Sequence, residues 1–378
     1  MAVFVGPRRT TLLLAWPFLM AGGVRAEGPA QDPFFTSWET IGAAQGLPSN
    51  KVLSVLADGP RVWAGTDQGV ALLEGGKVRR VWGAAEGLTA PVAISLAADP
   101  RTGDLWIGTM GGLARLSAGR LDLFTQLDSG LANDVVYGVA VDGTDVWSAT
   151  TGGISRYDTR TGSWDIFDNT NSIMHEPWCY AAAADSGAIY FAVWGGGLLV
   201  REKSAGRFRQ HRDPDGEFEL DMFRDDGLIH DITTSVAFSD GVLWGGTYFG
   251  LSRFDGRRWM SYTKDDSGLV GNFINFLRTK GDAVWIATDE GIGRFDSKVW
   301  HAWRTKKDGP GHEVVVTDAQ GVKRSVLTET GLACNEVYSV DLDGRGDAWV
   351  ATAAGLSHGF ARAPAGKKGP DKRMKGGR

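Results

Sequence analysis

Two pairs of residues in this sequence carry side chains suited to acid–base chemistry or metal binding. They are His175 with Glu176 and His230 with Asp231, and each pair joins an imidazole to a carboxylate. Such groups act as general bases or as ligands of a transition metal. Their spacing matches no metal-binding motif, and the sequence has no Gly-x-Ser-x-Gly, His-Glu-x-x-His or Gly-x-x-x-x-Gly-Lys motif. The sequence therefore predicts no catalytic residue, no metal and no cofactor.

Large aromatic residues accompany these pairs at matching places in a sequence repeat. Trp194 and Tyr248-Phe249 occupy a turn where other copies of the repeat carry small residues or aspartate. An exposed aromatic surface lowers solubility unless something binds there. We therefore predict that one face, formed by the fourth and fifth copies, binds a ligand. Its residues are His175, Glu176, Trp194, His230, Asp231, Tyr248 and Phe249.

The repeat that must position these residues is centred on a tryptophan. The clearest copy is Leu105-Trp106-Ile107-Gly108-Thr109, followed by Gly112-Leu113. Alternating apolar residues with a large aromatic predict a half-buried strand, and Thr-x-x-Gly predicts a tight turn into a second strand. We expect the tryptophans to be equivalent core residues between neighbouring units, with a tyrosine in the degenerate copy. They are Trp63, Trp106, Trp147, Tyr190, Trp244, Trp285 and Trp349.

Each unit contains four predicted strands. A Gly-Leu turn and a strand precede the hairpin in most copies, and an aromatic strand follows it. Four short strands per roughly 40–45 residues is the spacing of propeller blades. The sequence therefore predicts an all-β, seven-bladed β-propeller over residues 35–360.

The two ends of this region complement each other. Phe35–Ile41 resembles the fourth strand of a blade, whereas the seventh unit stops after its third strand, Gly355–Phe360. We predict that the N-terminal strand completes the last blade and closes the ring, which removes an open sheet edge.

The flanking segments predict export. Residues 1–26 have the pattern of a signal peptide, with Arg8-Arg9, the apolar run Leu12–Val24 and a small-x-small cleavage site ending at Ala26. An uncleaved membrane anchor is the alternative, although the run is short and contains Pro17. Residues 27–34 are predicted to be a linker and 361–378 a basic, disordered tail. We expect a periplasmic or extracellular, soluble monomer after removal of the signal.

Charge and cysteine content limit the remaining function classes. The net charge is −5, which argues against nucleic-acid binding. Cys179 and Cys334 are the two cysteines, and they fall in different predicted blades. A disulfide needs Cα atoms within about 7 Å, so we expect two free thiols, with Cys179 in the core.

The repeat resembles a known family. The Leu-Trp-Ile-Gly-Thr strand at 105–109 and the Gly-Gly-Leu at 111–113 look like the two-component regulator propeller repeats. Those repeats form the extracytoplasmic sensor propellers of hybrid histidine kinases. The resemblance covers residues 35–360 and implies a sensor-like module.

Three functions remain open at this point. The predicted face binds a small molecule, with a glycan as one candidate, or a protein partner. Alternatively, the same histidines and acids serve a lyase or hydrolase, since some propellers are lyases. The third possible function is that of a structural scaffold in an envelope complex. Taken singly, each histidine is more often a loop residue that caps backbone amides. The clustering of aromatics with polar groups favours the binding module.

Overall fold

The computed structural model describes residues 35–215, 224–306 and 311–361. The predicted signal peptide, the linker, residues 216–223 and all but the first residue of the basic tail lie outside these ranges. Within them the chain is built from strands, with two short 3-10 helices at Ala43–Gln45 and Ala84–Glu86.

The strands are numbered in chain order and form seven antiparallel sheets. The first strand, β1, is Trp38–Ile41. Blade 1 contains β2 (Val52–Asp58), β3 (Arg61–Thr66), β4 (Gly69–Glu74) and β5 (Lys77–Trp82). Blade 2 contains β6 (Ala93–Ala98), β7 (Leu105–Thr109), β8 (Gly112–Ser117) and β9 (Arg120–Phe124). Blade 3 contains β10 (Val136–Asp142), β11 (Asp145–Thr150), β12 (Gly153–Asp158) and β13 (Ser163–Phe167).

The remaining blades follow the same order. Blade 4 contains β14 (Cys179–Ala184), β15 (Ala188–Val193), β16 (Gly197–Glu202) and β17 (Phe208–His211). Blade 5 contains β18 (Thr233–Ser239), β19 (Val242–Thr247), β20 (Leu251–Phe254) and β21 (Trp259–Tyr262). Blade 6 contains β22 (Ile274–Lys280), β23 (Ala283–Thr288), β24 (Gly291–Phe295), β25 (Trp300–Thr305), β26 (His312–Thr317) and β27 (Lys323–Thr328). Blade 7 contains β28 (Val337–Leu342), β29 (Ala348–Thr352), β30 (Gly355–Gly359) and β1.

The first strands of the blades form the inner wall of a ring. They contact one another in the order β2, β6, β10, β14, β18, β22 and β28, and β28 contacts β2. The predicted seven-bladed, all-β propeller is therefore confirmed. Blade 6 differs from the others because the hairpin β26–β27 adds two strands to its outer edge.

The repeated tryptophan forms the core between blades, as predicted. Trp106 is fully buried on β7 and lies under the guanidinium of Arg115. The equivalent residues are also buried, and they are Trp63, Trp147, Tyr190, Trp244, Trp285 and Trp349. Alternation along the strand places this residue between two sheets, which explains why a large aromatic recurs in each blade.

The N-terminal strand closes the ring, as predicted. β1 pairs antiparallel with β30, with Trp38 opposite Gly359. A Cβ atom at Gly359 would lie 2.8 Å from the indole ring of Trp38, so only glycine admits this ring. Phe35 is fully buried and packs 5.7 Å from the ring of Trp285 and 5.8 Å from that of Trp303, both in blade 6. The N-terminal segment thus joins blade 7 to blade 6.

Both cysteines are free, as predicted. Cys179 is completely buried on β14, and burial raises the pKa of its thiol, so it acts as a small apolar core residue. Among the described residues, no helix is long and apolar enough to cross a membrane.

Candidate functional site

The loops that enter the blades and the turns between second and third strands lie at the same end of the ring. In blade 3 the backbone N–H of Thr151 in the turn donates to the carbonyl of Val135 in the loop. The same bond joins Trp194 to Trp178 in blade 4. We call this end the mouth of the ring.

A β-bulge near the mouth turns one side chain of every blade into the central cavity. The register between the first and second strands skips one residue in all seven sheets. A bulge re-aims the extra side chain. The seven residues at this position all line the cavity, and they are Leu53, Ile94, Tyr137, Tyr180, Thr234, Asn275 and Tyr338.

The cavity behind the mouth has a volume of about 580 Å³, and apolar atoms form slightly more than half of its walls. Alanine, valine and leucine of the first strands make up about half of the residues that line it. Among the described residues, Arg278 is the one charged residue that lines it, and its Nε atom lies 3.3 Å from Oδ1 of Asp341. A pocket of this size and polarity suits a small, uncharged molecule.

Aromatic rings from four adjacent blades form a continuous cluster at the mouth. Tyr137 and Tyr180 approach to 4.9 Å between ring centroids, and Trp194 lies 5.7 Å from Tyr180. The ring of Trp194 meets that of Tyr248 edge-on, with 5.4 Å between centroids. Tyr248 in turn stacks on Phe273 at 4.0 Å. We call this the aromatic mouth, and its members are Tyr137, Trp178, Tyr180, Trp194, Tyr248 and Phe273.

The aromatic mouth is partly open to solvent. Trp178 is 37% exposed and Phe273 36% exposed, whereas Tyr180 is half-buried. Burial, followed by a hydrogen bond with Tyr248, raises the pKa of Tyr180, so its hydroxyl stays protonated and can donate. The cluster therefore offers flat apolar faces together with hydroxyl groups.

The structure gives His230 a local role. It is buried, its ring stacks on Phe249 at 4.1 Å, and its Nδ1 accepts a hydrogen bond of 2.9 Å from the backbone N–H of Ile232. Side chains at the same position in blades 1 and 3, Ser49 and Asn133, accept the equivalent bond. His230 therefore caps its loop as the repeat requires.

Asp231 also occupies a repeated structural position. Its Oδ2 pairs with Arg212 at 2.6 Å, and its Oδ1 accepts the backbone N–H of Asp213. Corresponding side chains bind the backbone at the end of a fourth strand or just after it in four other blades, and they are Asn50, Asp134, Asn272 and Asn335. These bonds fasten each loop to the strand that precedes it.

The other two predicted polar residues, His175 and Glu176, are exposed on the loop that enters blade 4. This loop also carries Trp178, so they stand beside the aromatic mouth. The structure thus brings Trp194 and Tyr248 into one cluster. His230 and Phe249 stack on each other, and Asp231 forms an ion pair with Arg212.

Four members of the aromatic mouth were not predicted from the sequence. Tyr137 and Tyr180 occupy the bulge position, and Trp178 and Phe273 lie two residues before it in their blades. An alignment of the repeats could have indicated these residues. At the bulge position and at the position two residues before it, aromatic residues occur only in blades 3, 4, 6 and 7.

Comparisons with solved structures support the fold. The extracellular domain of BT3049 from B. thetaiotaomicron, described as a hybrid two-component system, has a TM-score of 0.63 at 17% identity, covering 86% of this chain and 42% of that one. The extracellular domain of BT4673 from B. thetaiotaomicron, described as a one-component system, has the same TM-score and identity, covering 86% and 40%. Virginiamycin B lyase from Staphylococcus aureus has a TM-score of 0.59 at 11% identity, covering 85% and 97%.

These comparisons confirm the resemblance stated from the repeats at the level of the fold. The structures similar to this chain include extracellular domains of two-component system proteins. The chain spans less than half of the length of those domains. No family model and no curated protein matches the sequence.

Proposed function

We propose that this propeller is a sensor-like binding module that holds a small, neutral, ring-bearing molecule at the aromatic mouth. The observation that carries the proposal is the unbroken contact of aromatic rings from Tyr137 to Phe273 above an apolar cavity. A turn or a loop does not need these rings, and partly exposed aromatics cost solubility.

The chemistry of the mouth favours a glycan among such molecules. Aromatic faces stack on flat apolar surfaces, and the hydroxyls of Tyr137, Tyr180 and Tyr248 supply hydrogen bonds to polar substituents. Of the described residues that line the cavity, one is charged, Arg278, and it is paired with Asp341. This lining favours a ligand without a net charge. His175 and Glu176 are placed to contact the part of a ligand that projects from the mouth.

The proposal is tested by a ligand screen on the chain that begins at Glu27. Thermal shifts are measured with neutral tetrasaccharides of β-linked and α-linked glucose, with a uronic-acid oligosaccharide and with free tryptophan. We expect a neutral oligosaccharide to raise the Tm and the uronic-acid probe to have no effect. Tyr248→Ala and Trp194→Ala should each weaken binding about two- to thirteen-fold, because a lost aromatic contact is worth about 0.5–1.5 kcal/mol.

Met110→Ala is the matched control. Met110 occupies the same turn as Trp194 and Tyr248 but in blade 2, and it is exposed. Unchanged binding in this variant is expected. Equal affinity in Tyr248→Ala, Trp194→Ala and the parent would reject the site, and no shift with any probe would reject a neutral ring ligand.

We further propose that the chain works outside the cytoplasm. The signal-peptide pattern of residues 1–26 supports this location, as does the extracellular origin of the similar domains. N-terminal sequencing of the protein recovered from its native host should begin at Glu27. A sequence that begins at Met1 or Ala2 would contradict cleavage.

A further inference from the structure

Four blades carry an arginine at the same place on their third strand. Each arginine lies directly across from the core tryptophan of the second strand, and the four are Arg115, Arg156, Arg253 and Arg294. Each forms an ion pair with an aspartate of its own blade. Because a guanidinium is always protonated in proteins, these aspartates have a permanent counter-charge.

Blade 7 replaces this arginine with His358. The imidazole lies across from Trp349 and stacks on it at 3.7 Å between centroids. Its Nε2 is 3.4 Å from Oδ2 of Asp347. Asp347 holds the position that Asp104 and Asp145 hold in blades 2 and 3, where each pairs with the arginine. The carboxylate of the repeat is thus retained in blade 7, but its fixed cation is lost.

Further carboxylates converge on the same place. One ligand atom from each of Asp343, Asp347 and His358 lies within 4.8 Å of the others. Glu39 on the closing strand lies directly across from His358 in the β1–β30 ladder. Among the described residues, no lysine or arginine side chain forms an ion pair with Asp343 or Asp347. In the described part of the chain, a histidine therefore stands beside these carboxylates where four other blades place an arginine.

We propose that Asp343, Asp347 and His358 bind one divalent transition-metal ion, with Zn²⁺ as the best match. One imidazole and two carboxylates are ligands that Zn²⁺ accepts at about 2.0–2.2 Å, which places the ligand atoms roughly 3.5 Å apart. The observed separations, all within 4.8 Å, would have to shorten by at most about 1.3 Å to reach this spacing. A site with oxygen ligands alone would favour Ca²⁺ or Mg²⁺. The imidazole ligand of this site shifts the preference towards a transition metal.

The side chains of the cluster are held in place by their surroundings. The ring of His358 is fixed by its stacking on Trp349 at 3.7 Å between centroids. Asp343 is held in place because its Oδ1 accepts the backbone N–H groups of Arg345 and Asp347, at 2.8 Å and 3.1 Å.

The position of this cluster suggests what the metal does. Asp343 and Asp347 belong to the turn between β28 and β29, at the end of the ring opposite the mouth. His358 lies on β30, which is the strand that β1 pairs with to close the ring. A metal bound here fastens the turn to the seam of the propeller, so metal binding stabilises the closed ring without entering the ligand cavity.

The test measures metal content and stability on the chain that begins at Glu27. After treatment with EDTA and dialysis, Zn²⁺ is titrated by calorimetry, with Mn²⁺ and Ca²⁺ as separate arms. We expect one equivalent of Zn²⁺ to bind with micromolar or tighter affinity and to raise the Tm, and Ca²⁺ to bind at least about tenfold more weakly. Asp347→Asn should lose the site.

His358→Arg is the decisive variant because it restores the arginine–aspartate pair of the other blades. We expect it to remain folded, with a Tm at or above that of the metal-free parent, and to bind no Zn²⁺. His175→Asn removes an exposed histidine at the mouth and should bind Zn²⁺ as the parent does. One equivalent of Zn²⁺ in His358→Arg, its loss in His175→Asn, or no Zn²⁺ binding by the parent would each overturn the proposal.

Discussion

At the scale of single residues, the repeated tryptophan is the main contributor to the core. Trp106 has no exposed surface, and among the described residues its indole N–H has no hydrogen-bond partner. Trp106→Ala should lower the free energy of unfolding by about 3–5 kcal/mol, because a large cavity remains. Trp106→Phe should cost much less, since it retains most of the ring and breaks no hydrogen bond. Denaturant unfolding of the two variants measures both effects. Equal losses would contradict this account of the core.

A second residue-scale prediction concerns acid stability. The ring of His211 packs against Phe254 at 5.4 Å and Trp259 at 5.3 Å. Burial, and then the charge of Arg209, lowers the pKa of His211 below its usual 6.5. The unfolded chain therefore takes up a proton at a higher pH than the folded chain does. The stability contributed by neutral His211 is full above about pH 6.5 and is lost as the pH falls towards the lowered pKa.

Replacing His211 with phenylalanine removes this proton uptake. We expect the free energy of unfolding of His211→Phe to fall less steeply between about pH 7 and pH 5 than that of the parent. Denaturant titrations at several pH values give the two slopes. A control is His175→Ala, whose imidazole is exposed and should leave the slope unchanged. Parallel pH profiles of the parent and His211→Phe would refute the explanation.

At the scale of strands, the seam between β1 and β30 determines whether the ring is closed. A chain that begins at Gly42 lacks β1 and the buried side chains of Phe35 and Trp38. It leaves the edge of β30 unpaired, and an unpaired edge pairs with other molecules. We expect this chain to aggregate and to melt at a lower temperature than a chain that begins at Phe35. Light scattering and thermal melts compare them, and a monomeric Gly42 chain with an unchanged Tm would show that β1 does not close the ring.

The strands also explain how far the sequence predicts this protein. Recurrence of one Trp-containing strand was enough for the number of blades and the core residues, because each copy repeats the same packing. The closure was predictable because the last copy lacks the fourth strand that the N-terminal segment resembles. The bulge could not be predicted, since it depends on the register between two strands. Tyr137 and Tyr180 therefore looked like ordinary strand residues, although they face the cavity.

The predicted site residues show a second limit of prediction from the sequence. Trp194 and Tyr248 were recognisable because a turn does not require large aromatics. His230 and Asp231 looked equally exceptional, yet they perform tasks that serine or asparagine performs in other blades. At the position of His230 the equivalent bond is made by serine or asparagine in two other blades, so the residue type alone did not reveal that the histidine has the same role.

At the scale of the whole molecule, the two ends of the ring differ in chemistry. The mouth carries stacked aromatic rings above an apolar cavity. The opposite end of blade 7 carries carboxylates and a buried histidine. This separation lets a ligand bind at one end while the other secures the closed ring. The central claim is that the aromatic mouth is the place where a ligand binds.

Hydrogen–deuterium exchange, measured with and without the oligosaccharide that gives the largest thermal shift, tests this claim most directly. We predict that the ligand slows exchange in the loops that enter blades 3 to 6 and in the turns that hold Trp194 and Tyr248. The equivalent turn of blade 2 at Met110 and the outer hairpin β26–β27 should be unaffected. Protection confined to outer strands or to the end opposite the mouth would contradict the account.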